Sequence, residues 1–231
     1  MIDVCWLEQT SAGLPAEDDW LSYGEAVRLR AMRFEKRRAD WRLGRWTAKR
    51  AVSMYLDLPA DPLSLGRIEI RAAPGGAPEV FFGSDPAPVT ISISHRADIA
   101  ACAIAGPGVA LGCDLEVIEP RGAAFAGDYF TAAEQELVNL ASPADRWRLL
   151  ALLWSGKESL LKALRVGLRI DTRLVAVDPL IGLASGADAW RPLHARYDGS
   201  LFHGWWRQTH NLVRTMVADP APAEVAALRT G

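Results

Sequence analysis

Two short motifs combine carboxylates with apolar residues in patterns suited to chemistry. In the first, Asp114 and Glu116 stand two residues apart in an apolar run that reads as a strand, so both side chains project from one face. In the second, Glu158 and Lys162 stand four residues apart in a helical pattern, which places acid and amine on one helix face. Three acids and a lysine could hold a hard cation with open positions and steady a phosphate beside it. The set suits phosphoryl transfer.

The strand acids have two interpretations. The residues that flank Asp114 and Glu116 are nearly all apolar, which predicts an interior strand. Two carboxylates about 6–7 Å apart along a strand repel each other, and a bound cation relieves that cost. The alternative is the solvated face of an edge strand. Glu158 and Lys162 likewise have an ordinary interpretation, an ion pair on a helix surface.

The elements that must position these motifs follow from hydrophobic periodicity, caps and turns. Thr131 with Glu134 three residues later has the pattern of a capping box and opens one helix. The predicted helices cover 18–33, 37–58, 131–141 and 145–165. The predicted strands cover 2–7, 67–71, 89–94, 99–105, 109–117, 174–177, 193–197, 201–208 and 211–218. This order indicates an α+β fold, and the break at 106–108 divides the chain into expected domains 1–107 and 108–231. A loose tail is expected after residue 222.

A basic segment precedes the motifs. Residues 28–50 hold ten Lys and Arg side chains against Glu35 and Asp40. Spacing puts Arg38 with Arg42, and Arg42 with Arg45, on shared helix faces, where guanidinium groups could clamp an anion. The other interpretation is a solvated helix face.

Composition bounds the class of protein. The 231 residues are 50% hydrophobic and 23% charged, with a net charge of −2, which argues against a general nucleic-acid binder. Cys5, Cys102 and Cys113 form no C-x-x-C pair, as expected of free thiols in a reducing compartment. The start of the chain lacks a signal-peptide pattern, and no apolar run approaches the length of a membrane span. We therefore expect a cytoplasmic protein without a membrane or nucleic-acid partner.

The motifs together resemble the signature of 4′-phosphopantetheinyl transferases of the surfactin-synthetase (Sfp-like) type. The resemblance runs from about residue 28 to residue 170 and rests on the order of the motifs, since each alone is weak. The matching segments are Gly44-Arg45, the loop 75–78, the strand end 92–95, the Gly112-x-Asp114-x-Glu116 pattern, the segment 130–134, and 154–162 with its W-S-x-K-E-S-x-x-K pattern.

The resemblance implies an enzyme that transfers 4′-phosphopantetheine from coenzyme A to a serine of an apo acyl- or peptidyl-carrier protein. It makes Asp114, Glu116 and Glu158 ligands of Mg²⁺, and Lys162 a contact to the substrate diphosphate. It also makes Glu158, or a metal-bound water oriented by Glu116, the general base. The expected catalytic residues are therefore Glu158, Lys162 and Glu116.

The resemblance also implies a binding site for coenzyme A. His95, which taken alone reads as a surface or capping residue, would contact a phosphate of coenzyme A, with Ser94 adding donors. Arg38, Arg42 and Arg45 would contact the adenosine 3′-phosphate. Family members have two similar lobes with the active site between them, and a monomer is expected.

Two other functions remain open at this stage. A metal-dependent nuclease would also use acids and a lysine, but such sites usually carry the last acid and lysine two apart on a strand. An inactive module that binds coenzyme A or a carrier protein is the second alternative, although all three acids are present.

Overall fold

The computed structural model describes residues 2–180 and 188–228 and confirms the α+β fold. The chain divides into two compact units. Within the described residues, the first unit comprises 3–109 and 224–228, and the second comprises residue 2 with 110–180 and 188–223. The functional division into a coenzyme A lobe and a metal lobe stays a prediction. None of the helices in the described ranges is both long and apolar enough to cross a membrane.

The first unit contains a four-stranded and a three-stranded sheet with the helices α1, α2 and α3. The helices are α1 (Tyr23–Ala31), α2 (Glu35–Tyr55) and α3 (Pro62–Gly66). The strands are β1 (Ile2–Thr10), β2 (Ile68–Ala72), β3 (Pro78–Phe82), β4 (Asp85–Pro86), β5 (Thr90–Arg96) and β6 (Ile99–Ala105), joined by β12 (Pro222–Ala227). The sheet orders are β12-β1-β6-β5 and β2-β3-β4.

The part of the second unit that the structure describes has a five-stranded sheet, three α-helices and two short 3-10 helices. Its strands are β7 (Ala110–Val117), β8 (Ala176–Asp178), β9 (Arg191–Tyr197), β10 (Ser200–Thr209) and β11 (Leu212–Asp219), in the order β7-β11-β10-β9-β8. Its helices are α4 (Phe125–Tyr129), α5 (Ala132–Leu140) and α6 (Pro143–Ala163). β7 stands at the end of this order, so the expected interior strand is wrong, yet residues 111–116 are buried.

Two glycines let α6 approach the sheet closely. A Cβ atom on Gly112 would lie 1.8 Å from the carbonyl oxygen of Ser159, and one on Gly156 would lie 2.8 Å from Cγ1 of Val177. Helix backbone therefore rests against strand backbone at Gly112. This approach brings the strand that carries Asp114 next to the helix that carries Glu158.

Several elements differ from the sequence-based expectations, and α3, α4, β3 and β4 were not predicted. The helix expected from residue 18 begins at Tyr23, because Ser22 and Glu25 form a capping box that starts it. Residues 222–227 of the expected loose tail instead form β12, which lies beside β1 in the sheet, and residues 229–231 lie outside the described residues. The backbone N–H of Leu228 also donates to the carbonyl of Trp6 at 2.9 Å.

A buried lysine–glutamate pair stands inside the first unit. Lys49 Nζ lies 2.5 Å from Glu25 Oε2, and both side chains are almost fully buried. The ammonium also donates to the carbonyls of Trp20 and Leu65 at 2.9 and 3.1 Å. The other carboxylate oxygen of Glu25 accepts from the backbone N–H of Ile70 at 3.1 Å.

The second unit repeats this arrangement. Lys157 Nζ lies 2.8 Å from Glu134 Oε2 and donates to the carbonyls of Thr172 and Val175. Glu134 Oε1 accepts from the N–H of Val177 at 2.8 Å. Both glutamates belong to capping boxes, and both lysines follow a tryptophan by three residues, in W-T-A-K and W-S-G-K. The sequence analysis did not find this repeat.

Candidate functional site

The acid–lysine group consists of Asp114 and Glu116 on β7 with Glu158 and Lys162 on α6. Lys162 Nζ donates to Asp114 Oδ1 at 2.7 Å and to the carbonyl of Cys113 at 3.0 Å. Asp114 is 7% exposed and Lys162 is 28% exposed. The lysine therefore ties α6 to the strand acid, beyond an ordinary contact along one helix face.

Glu116 has a basic partner that the sequence analysis missed. Arg121 Nη2 donates to Glu116 Oε2 at 2.6 Å, and both side chains are largely buried. The guanidinium also stacks over the ring of Phe125, 5.2 Å from its centroid. Arg121 follows Pro120 outside any regular element, so no periodicity in the sequence connects it to Glu116.

The charges of this group act on one another. Burial raises the pKa of the Glu158 carboxyl, and the negative charges of Asp114 and Glu116 raise it further, while Lys162 opposes them. Burial alone would lower the pKa of Lys162, but the charge of Asp114 and the hydrogen bond to it keep that pKa above its ordinary value. Burial and two neighbouring carboxylates make Glu158 costly to ionise, and binding of a cation or a proton reduces that cost.

The donor chemistry of this group suits a hard divalent cation, because carboxylate oxygens are the ligands that Mg²⁺ prefers. Within residues 2–180 and 188–228, however, no three His, Cys, Asp or Glu side chains stand close enough together to hold a metal ion. Asp114 is bonded to Lys162 and Glu116 to Arg121 instead. The assignment of Mg²⁺ to these residues stays a prediction.

The first unit has a basic pocket of about 560 Å³ between α2 and β5. Its lining residues are Phe34, Lys36, Arg37, Asp40, Trp41, Gly44, Arg45, Ile93 and His95. Two residues expected to bind the cofactor, Arg45 and His95, are thus brought together. Lys36, Arg37 and Trp41 were missed, although the basic run pointed to this stretch of helix.

Arg45 and His95 each have an acidic neighbour. Arg45 Nε lies 3.7 Å from Glu25 Oε1. Burial lowers the pKa of Arg45 to about 10, with Glu25 opposing the shift, so the guanidinium stays charged at neutral pH. It also lies over the ring of Trp41, 4.9 Å from its centroid. His95 Nε2 lies 3.7 Å from Asp40 Oδ2.

The other residues expected to bind the cofactor lie outside the lining of the basic pocket. Arg42 donates to Asp18 Oδ1 at 2.7 Å and to the carbonyls of Pro15 and Ala16. Arg38 is exposed on α2, and Ser94 is buried on β5. Because strand side chains alternate, the hydroxyl of Ser94 points to the face opposite His95.

The comparisons with known proteins concern part of the chain. No curated protein matches it. Among solved structures, it is similar to the crystal structure of Helicobacter pylori holo-[acyl-carrier-protein] synthase in complex with coenzyme A, with 20% identity and a TM-score of 0.34. That similarity covers 45% of this chain and 97% of the other. The segment 110–201, which carries the acid–lysine group, matches the family model of the 4′-phosphopantetheinyl transferase superfamily.

Proposed function

We propose that the protein transfers the 4′-phosphopantetheine group from coenzyme A to a serine hydroxyl of an acyl- or peptidyl-carrier protein. The observation that carries this proposal is the acid–lysine group itself. Glu158, whose carboxyl is raised in pKa by burial and by Asp114 and Glu116, lies on the same helix as Lys162. All four residues fall within the segment that matches the transferase superfamily.

The proposed reaction is a displacement at phosphorus. The serine oxygen forms a bond to the β-phosphorus of coenzyme A, and the bond from that phosphorus to the bridging oxygen breaks. Glu158 accepts the hydroxyl proton, a role favoured by its raised pKa. Lys162 stabilises the charge that develops on the bridging oxygen. The products are the holo carrier protein and adenosine 3′,5′-bisphosphate.

The cation in this proposal is Mg²⁺, which would neutralise the diphosphate when bound. Asp114, Glu116 and Glu158 would hold it through carboxylate oxygens. For that to occur, Asp114 and Glu116 must share or release their bonds to Lys162 and Arg121.

We further propose that the basic pocket binds the adenosine 3′-phosphate of coenzyme A. Arg45 and His95 line it together with Lys36 and Arg37, and of these Lys36 donates to Asp40 at 3.0 Å. Charge-assisted hydrogen bonds from guanidinium to phosphate are among the stronger polar contacts in proteins. Arg42 is less suited to this role because Asp18 already accepts from it.

The carrier protein is proposed to dock beside the end of α6. Arg165 and Arg169 follow Lys162 within two turns, and Leu168 and Leu174 are each 62% exposed. The transferase family that this chain resembles modifies carrier proteins, which typically have an acidic surface around the modified serine. A surface with basic and apolar side chains is complementary to such a partner.

The test is incubation with coenzyme A, Mg²⁺ and several apo carrier proteins, followed by mass spectrometry for the phosphopantetheine adduct. Asp114→Asn and Glu158→Gln should abolish the adduct, because each removes a carboxylate from the proposed cation site. Circular dichroism must show both variants folded. Full transfer by either variant, or by the wild type in the presence of a chelator, would overturn the assignment of these acids.

A further inference from the structure

Arg121 forms an ion pair with Glu116, which is one of the proposed ligands of the cation. The contact of 2.6 Å joins two side chains that are 18% and 12% exposed. Taking one partner out of a pair so shielded from water costs more than separating a surface ion pair. A cation that takes Glu116 as a ligand must therefore compete with Arg121.

A second carboxylate that could pair with the guanidinium of Arg121 lies close to Glu116. Glu119 Oε1 is 3.9 Å from the same nitrogen of Arg121, and its side chain is 42% exposed. The ring of Phe125 lies 5.2 Å from the guanidinium carbon, within the range of a cation–π contact. Arg121 thus stands between a buried and an exposed carboxylate.

We propose that Arg121 is a latch on the cation site, and this inference rests on the proposed function. Without a divalent cation Arg121 binds Glu116, as Lys162 binds Asp114. When a cation takes Glu116, the guanidinium moves to Glu119. Arg121 is a positioning residue in this scheme, because it acts through Glu116.

The latch predicts cation affinities that differ from those expected if Arg121 acted through its charge alone. A site whose competent state is only partly populated binds more weakly by that fraction. Removing the latch should therefore tighten cation binding. Removing the carboxylate of Glu119 should weaken cation binding, but only while Arg121 is present. A mere change of local charge would make the two effects additive.

The experiment measures Mn²⁺ binding to the whole protein without coenzyme A, from the electron paramagnetic resonance signal of the free ion. Mn²⁺ serves as a probe because it shares the preference of Mg²⁺ for oxygen ligands. Arg121→Gln should bind Mn²⁺ about 10-fold more tightly than the wild type. Glu119→Gln should bind it several-fold more weakly, and the double variant should match Arg121→Gln. Arg173→Gln, which changes the charge equally at an exposed pair with Asp171, is the control and should match the wild type.

The outcomes separate the latch from the proposed function. Equal affinity of wild type and Arg121→Gln, or additive effects of the two substitutions, overturns the latch and leaves the cation site standing. Absence of Mn²⁺ binding in every variant overturns both the latch and the cation site. Tighter binding by Arg121→Gln with no effect of Glu119→Gln in that background supports the latch.

Discussion

The ammonium of Lys157 lies 2.8 Å from the carboxylate of Glu134, and the two side chains are 0% and 4% exposed. Burial lowers the pKa of Lys157, and Glu134 opposes that shift. The carboxylate also caps α5 and accepts from the N–H of Val177 on β8. One ion pair thus joins α5, α6 and the far edge of the sheet.

Removing one partner of this pair should destabilise the protein strongly. Lys157→Met leaves the charge of Glu134 buried without its cation, a change that costs about 3–5 kcal/mol in comparable pairs. The free energy of unfolding, measured in urea, should fall by this amount. Lys36→Met, which breaks a pair whose lysine is 90% exposed, should lower it by no more than about 1 kcal/mol. Equal losses would mean that leaving Glu134 without its cation costs no more than breaking an exposed pair.

Gly112→Ala should also destabilise the protein. A methyl group there would meet the backbone of Ser159 at 1.8 Å, and backbone cannot rotate away. Overpacking of this kind costs about 1–3 kcal/mol or more. Gly127→Ala is the control, because no atom outside its chain neighbours and its own helix backbone lies within 4 Å of the added Cβ. The thermal midpoints of both variants measure the difference, and an unchanged midpoint for Gly112→Ala would mean that α6 can move off β7.

The basic pocket makes a prediction about ligand discrimination. Arg45→Gln and His95→Gln should weaken coenzyme A more than 3′-dephospho-coenzyme A, since each removes a donor to the 3′-phosphate. One lost charge-assisted contact corresponds to about 10- to 100-fold in affinity. Arg42→Gln, whose guanidinium is held by Asp18, is the comparison and should change neither affinity. Calorimetry measures the affinity for each ligand. Equal losses for the two ligands would show that Arg45 and His95 do not contact the 3′-phosphate.

The docking proposal concerns the carrier protein alone. The double change Arg165→Glu and Arg169→Glu should raise the KM for the carrier protein and reduce its dependence on salt, because attraction to an acidic surface is lost. The KM for coenzyme A should stay nearly constant. An unaltered carrier KM would place the docking surface elsewhere.

A pH prediction arises from neighbouring histidines on the five-stranded sheet. His194 and His203 are cross-strand partners with ring centroids 5.0 Å apart. Burial lowers the pKa of His194, and the charge of His203 lowers it further. The folded state thus binds this proton less readily than the unfolded state, so this group's contribution to stability is lost as pH falls below about 6.5.

His203→Gln should raise the pKa of His194, because it removes the neighbouring positive charge while burial remains. Nuclear magnetic resonance titration of the His194 ring measures this pKa directly. The variant should also lose less stability than the wild type between neutral pH and pH 5. A lower or unchanged pKa in the variant would contradict the repulsion between the two rings.

The sequence predicted the parts of this protein that depend on local patterns. The α+β class, the capping box at Thr131 and the helix that carries Glu158 follow from periodicity and caps, which neighbouring residues determine. The pair of Arg121 with Glu116 depends on the path of an irregular loop, which leaves no periodic signal. The end position of β7 and the pairing of β12 with β1 depend on contacts between residues far apart in the chain. The expected roles of Arg38, Arg42 and Ser94 rest on resemblance and spacing, and neither reports that Asp18 holds Arg42.

The buried lysine–glutamate arrangement is common to both units, whereas the residue after the lysine differs between them. In α2 the buried Lys49 is followed by Arg50, whereas in α6 the buried Lys157 is followed by Glu158. The same arrangement therefore occurs with a basic residue at the next position in one unit and an acidic residue in the other. Since the buried pair does not use the side chain of that residue, we expect substitutions at Glu158 to change chemistry more than stability.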